Sequence, residues 1–87
     1  MTWVEFKQWQ RWDEFPENRN NPPMTVDFSF CYNNILYYVE RQDNLYHIFD
    51  ENWNIVQSNV NFLQLLESTI WDGKSFKDII ENATFIA

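Results

Sequence analysis

The feature that most limits what this chain can fold into is a long alternation in its middle. In "MTVDFSFCY" (24–32), Met24, Val26, Phe28, Phe30 and Tyr32 fall on one side of an extended backbone, and Thr25, Asp27, Ser29 and Cys31 fall on the other. Asn33-Asn34, a pair that tolerates positive φ, comes next, and "ILYYVER" (35–41) resumes the apolar pattern at once. The spacing predicts a two-residue hairpin with Tyr32 opposite Ile35, Phe30 opposite Tyr37 and Phe28 opposite Val39. That register puts three apolar pairs on one face. It also sets Asp27 against Glu40, a like-charge pair tolerable only in water.

Turn chemistry extends the pattern downstream. "QDN" (42–44) is a turn, "LYHIFD" (45–50) a third strand, "ENWN" (51–54) another turn and "IVQS" (55–58) a short fourth strand. A two-residue turn at Asp43-Asn44 pairs Val39 with Ile48, whereas a three-residue loop pairs Val39 with His47, and the spacing fits both. The expected result is a three- to four-stranded antiparallel meander. Its second face also carries apolar groups, Leu36, Tyr38 and Phe49, so cover is needed on both sides.

The two ends are helical in pattern. Thr2 with Glu5 three residues later is a capping-box signature, so "WVEFKQWQRWDEF" (3–15) begins a helix near Trp3 that ends before Pro16. Trp3, Phe6, Trp9, Trp12 and Phe15 recur at every third position. Each such step turns about 300° on an ideal helix, so the rings sweep about two-thirds of its circumference. Either the helix is short and Trp12 and Phe15 belong to a chain folding back, or the segment is contacted on more than one side. "PENRNNPP" (16–23) reads as a loop. After the sheet, Asn61 with Gln64 caps Phe62, Leu65 and Leu66 at helical spacing, and Ser75 with Asp78 does the same for Phe76, Ile79 and Ile80. Gly73, the only glycine, marks a helix end or a tight turn at positive φ.

The fold class that follows is α+β in one domain over 1–87: an aromatic helix (1–15), a Pro/Asn loop (16–23), a meander sheet (24–58) and a helical pair (59–87). The N-terminal helix and the C-terminal pair could cover the two sheet faces from opposite sides, or a second copy could supply part of the cover. A domain this small buries only roughly 60 to 65% of its unfolded surface, so large side chains are needed. Five Trp, eight Phe and four Tyr meet that need. Each ring fully buried removes about 150 to 250 Å² from water, roughly 4 to 6 kcal/mol before ordering entropy is subtracted.

Several chemistries are poorly served by this composition. One glycine rules out a glycine-rich phosphate loop, and one Cys with one His falls short of a zinc ligand set. Asp50, Asn52 and Asn54 imitate the opening of a calcium loop, but Ile55 stands where that loop needs Gly and Asn61 where it needs Glu. A Cys31–His47 dyad would require both residues on one face of nearby strands. Asp72 beside Trp71 is the one carboxylate in an apolar context and reads as a turn residue before Gly73. No cofactor and no metal are expected.

The single cysteine cannot form an internal disulfide and no basic-then-apolar leader opens the chain, so a cytoplasmic setting is expected. "NAT" (82–84) is then noise as a glycosylation signal. No apolar run approaches membrane-spanning length, and membrane association is not expected. Net charge is −7, concentrated in 24–58, where Arg41 stands against Asp27, Glu40, Asp43, Asp50 and Glu51. Base-stacking platforms need flanking cations, so direct nucleic-acid binding is not expected. A basic protein is the partner such a field attracts.

The leading expectation is therefore a small acidic, non-catalytic interaction domain, an inhibitor or regulator of a basic partner. Its candidate contacts are the aromatic Trp3, Trp9 and Trp12, and the carboxylates Asp27, Glu40, Asp43, Asp50 and Glu51. The alternatives are a homo-oligomeric structural protein, such as a homodimer, that buries its aromatics against another copy, and, third, a carboxylate-dependent enzyme. The layout of helix, meander and two helices is too common to point to one family.

Overall fold

A computed structural model describes residues 1–86. The chain begins with the expected capping box: Glu5 N donates to Thr2 Oγ1 at 3.1 Å and Thr2 N donates to Glu5 Oε1 at 2.8 Å. Helix α1 (Trp3–Trp9) follows and stops well short of Pro16. Arg11 takes a left-handed conformation (φ 59°), which turns the chain back into single 3-10 turns at Trp12–Glu14 and Pro16–Asn18. The short-helix arrangement is thus the one realised. It returns Trp12 edge-on to Trp3 (5.7 Å between ring centroids) and to Phe6 (5.9 Å), with Trp12 Nε1 donating to Pro23 O at 2.8 Å.

The alternation from Met24 does not all become strand. Gln10, fully buried at the end of α1, occupies the backbone of Thr25 and Val26. Its Nε2 donates to Val26 O (2.9 Å), and its Oε1 accepts from Thr25 N (2.8 Å) and Val26 N (3.1 Å). Thr25 Oγ1 donates in turn to Gln10 O at 2.7 Å. One side chain satisfies the groups that a neighbouring strand would otherwise pair, so β1 (Phe28–Tyr32) begins four residues later than the alternation does.

From there the hairpin register is the expected one. Tyr32 faces Ile35, Phe30 faces Tyr37 and Phe28 faces Val39 on β2 (Ile35–Gln42), with Asn33 and Asn34 both at positive φ. Asp43 and Asn44 are also both at positive φ, so the second turn has two residues and pairs Val39 with Ile48 on β3 (Leu45–Phe49). Strand β4 (Ile55–Asn59) joins β3 with a bulge, Ile48 facing Gln57 and Phe49 facing Ile55.

Asn61 Oδ1 accepts from Gln64 N and opens α2 (Phe62–Glu67). A small hairpin then forms from β5 (Thr69–Trp71) and β6 (Lys74–Ser75), turning at Asp72 (φ 50°) and Gly73 (φ 79°). Ser75 and Asp78 make a second complete capping box at the start of α3 (Phe76–Ile79). After a 3-10 turn, β7 (Thr84–Ile86) returns beside β1 with Phe85 facing Phe30. The main sheet therefore has five strands in the order β4-β3-β2-β1-β7, not three or four, with a separate two-stranded sheet and short helices. The additional strands each span only two or three residues, below the length at which alternation is visible.

Both helical segments pack on the same face of the sheet. Phe6 lies 5.3 Å from the Phe28 ring, 5.4 Å from Phe76 and 6.4 Å from Phe62. Phe76 in turn meets Phe30 at 5.0 Å, and Phe62 stacks on Tyr46 at 5.2 Å. Because α1, α2 and α3 share these ring contacts, they cannot lie on opposite sides of the sheet. Phe6, Phe30, Val39, Ile48, Leu65, Leu66 and Phe76 are completely buried between the two layers.

Two outcomes are expected. Gln10→Ala leaves three backbone groups without partners and should lower unfolding free energy by roughly 2 to 4 kcal/mol in a urea titration. Backbone N–H donation from Thr2 to Glu5, and from Ser75 to Asp78, holds both carboxyls below their ordinary values. Their folded pKa values lie below the unfolded ones, so their contribution is present above the ordinary carboxylate range and is lost as pH falls through the folded values. Stability should decline below about pH 4, and Asp78→Asn should flatten that decline.

Candidate interaction surface

With every helix on one side, no helix covers the other face of the sheet among the described residues; Phe49 and His47 on that face are nevertheless only 6% and 7% exposed, Phe49 with Trp53 of the β3–β4 turn beside it. The pleat and the pairings define what it presents. Ile86, Ser29, Tyr38, Phe49 and Ile55 stand opposite one another in turn, forming a strip across all five strands. A second row holds Glu40, His47 and Ser58, with His47 Nδ1 2.6 Å from Ser58 Oγ. Leu36 and Cys31 face each other in a third.

Trp53 completes the strip. In the β3–β4 connection Asp50 Oδ1 accepts from Asn52 N and Asn54 N, both at 2.9 Å. This tight turn forces Trp53 into the left-handed region (φ 63°), an uncommon conformation for a bulky side chain. The indole lies flat on Tyr38, 4.0 Å between centroids and 9° between planes, and 5.5 Å from Phe49. It remains 51% exposed, and neighbouring Ile55 is 59% exposed. A tryptophan strained at the backbone and only half covered is the kind of group found at interface hot spots.

The five candidate carboxylates do not form one row. Asp27, exposed just before β1, and half-buried Glu40 line a shallow depression of about 200 Å³ with Tyr38 and Ile86. Asp43 lies in the turn at the same end of the sheet, while Asp50 and Glu51 lie in the turn at the far end. The aromatic strip sits between these two acidic ends. No Lys or Arg occurs in β1, β3, β4 or β7. Arg41 on β2 faces the helical side, its guanidinium 5.6 Å above the Tyr46 ring. The outer face is therefore apolar at its centre and purely acidic at its rim.

The three candidate tryptophans belong to the other side. Trp9 is partly buried against Phe28 (5.6 Å) and Phe85 (5.8 Å) and serves the core. Trp3 and Trp12 pack on Phe6 and also wall a groove among α1, the Pro/Asn loop, α2 and α3. The structure thus separates the aromatic candidates from the acidic ones. Trp53, Tyr38 and Phe49 take their place beside the carboxylates. Trp53 was hidden in the sequence as a turn residue; the available signal was Asp50 with Asn52 and Asn54, an Asx-type turn that holds the residue between those asparagines at positive φ.

The Cys31–His47 dyad is not assembled on this face. Cys31 and His47 share it, but they are two strands apart and stand opposite β2 residues four positions apart, about 13 Å along the strand. Asp72 is an exposed turn residue. Among the described residues no group of three or more His, Cys, Asp or Glu side chains converges as a metal site, and no helix is long and apolar enough to cross a membrane. In comparison with known proteins, no family model, curated protein or solved structure matches this chain.

Trp53→Gly should be mildly destabilising. Relief of left-handed strain, about 1 to 2 kcal/mol, only partly offsets the half of the indole that is covered, about 2 to 3 kcal/mol of burial, and an aromatic contact worth about 0.5 to 1.5 kcal/mol beyond it. Denaturant unfolding should therefore show a loss of about 1 to 3 kcal/mol.

Proposed function

We propose that this protein is a non-catalytic interaction domain of the cytoplasm that binds a basic protein partner through the uncovered face of its sheet. The observation that carries this reading is charge placement around the Trp53–Tyr38 stack: an apolar strip flanked by Asp27, Glu40 and Asp43 at one end and by Asp50 and Glu51 at the other, with no cation on the same face. Desolvated aromatics supply the binding energy in such a surface. The carboxylate rim raises the association rate and rejects acidic competitors. The fitting partner segment presents aliphatic side chains at its centre and Lys or Arg at both ends. Acting as an inhibitor or regulator, the domain would occupy a basic surface that otherwise receives phosphates.

A second reading has one specific observation in its favour. Edge strand β4 carries no charged residue, and Ile55, Val56 and the following Val60 are exposed, so a second copy could pair there. Sedimentation at several concentrations separates the two, because only self-pairing makes the mass depend on concentration.

The direct test is an array of short peptides in which Lys or Arg flanks Val and Leu, with Glu-flanked counterparts. Basic peptides should be selected, and their affinity should fall about tenfold or more between about 50 and 500 mM salt. Glu40→Lys and Trp53→Gly should each weaken binding, with amide shifts at Tyr38, Glu40 and Phe49. No preference for basic peptides, or shifts confined to the helical side, would overturn the reading.

A further inference from the structure

The helical side holds a groove of about 590 Å³, within the range of small-molecule sites. Its walls include the rings of Trp3, Trp12 and Phe15. Of the six Lys and Arg residues in a chain of net charge −7, three line this one groove: Lys7 from α1, Arg19 from the Pro/Asn loop and Lys77 from α3. Lys77 is engaged, its Nζ 3.5 Å from Glu67 Oε2 and 5.3 Å above the Trp3 ring. Lys7 and Arg19 form no ion pair among the described residues. Asp13 also lines the groove and leaves it one net positive charge once Glu67 is set against Lys77.

We infer that this groove binds a small organic monoanion with a flat apolar body, an aryl carboxylate or aryl sulfonate in chemical class. Trp3 is already packed between Phe6 and Lys77, so the apolar walls left for the body are Trp12, Phe15, Val4 and Leu63. Lys7 and Arg19 are free to make charge-assisted hydrogen bonds to the anionic group. A doubly charged anion would meet the opposing field of Asp13 and Glu67, and a cation would meet Lys7 and Arg19. The site lies on the opposite side of the sheet from the basic-partner surface and does not depend on it.

A matched pair of dyes tests this: 1-anilinonaphthalene-8-sulfonate and its uncharged parent, N-phenyl-1-naphthylamine. The sulfonate should bind the full chain once, with Kd on the order of 10 to 100 µM and energy transfer from tryptophan. It should bind about tenfold tighter than the neutral dye, against the repulsion expected from an acidic protein. Lys7→Glu with Arg19→Glu should reverse that preference, and the milder Lys7→Gln with Arg19→Gln should abolish it if the charge reversal disturbs folding. Trp53→Gly should leave it unchanged. Equal or tighter binding of the neutral dye, insensitivity to both double variants, or loss in Trp53→Gly would overturn the assignment. So would an acidic aromatic peptide that occupies the groove while the sulfonate does not.

Discussion

The structure depends on where one benzene ring is held. Phe6 is completely buried, with ring centroids of Trp3, Trp9, Trp12, Phe28, Phe76 and Phe85 between 5.3 and 6.4 Å away, most of them edge-on or tilted. Aromatic rings favour these offset and edge-to-face arrangements over flat sandwiches, and close packing gives them one geometry. Through this ring α1 meets the sheet and α3 at the same point. It therefore sets the side of the sheet on which every helix lies.

That decision has an electrostatic consequence. A sheet with helices on one side only leaves part of the other side open to water, and here Trp53 is half exposed, Tyr38 and Glu40 are partly exposed and Asp27, Asp43 and Glu51 are exposed, while Phe49 and His47 stay buried. The cations are placed elsewhere. Arg11 pairs with Glu14 at 3.0 Å, Arg41 covers Tyr46, and Lys7, Arg19 and Lys77 meet in the groove on the helical side. A chain whose overall charge is simply acidic folds into a body with two faces of different character, and the proposed partner and ligand follow from that separation.

Much of the architecture was legible locally. The hairpin register from Phe28 to Val39 is written by period-two alternation around Asn33-Asn34, and both capping boxes bind as their spacing implies. The turn at Asp43-Asn44 needed the fold to choose between two loop lengths, because Ile48 and His47 are both plausible partners for Val39 until the faces are assigned. Strands β5, β6 and β7 were not legible. Phe85 becomes part of a strand only because β1 offers it an open edge. Gln10 was equally silent: a glutamine in a helical segment looks like surface, and only the returning chain at Thr25 and Val26 makes it a buried clasp.

The sequence by itself determined the local elements and their chemistry: which segments alternate, where turns accept positive φ, where helices are capped, and that aromatic mass would supply the core. These properties are set by neighbours a few residues apart. Only the tertiary structure decided that Trp3, Trp9 and Trp12 pack on the helical side, that Trp53 lies out on the sheet, and that the open face carries carboxylates without cations while Lys7, Arg19 and Lys77 share the helical side with Asp13 and Glu67. Those outcomes turn on which side of the sheet the helices take, and that side is chosen by contacts between rings far apart in the chain, such as Phe6 with Phe76.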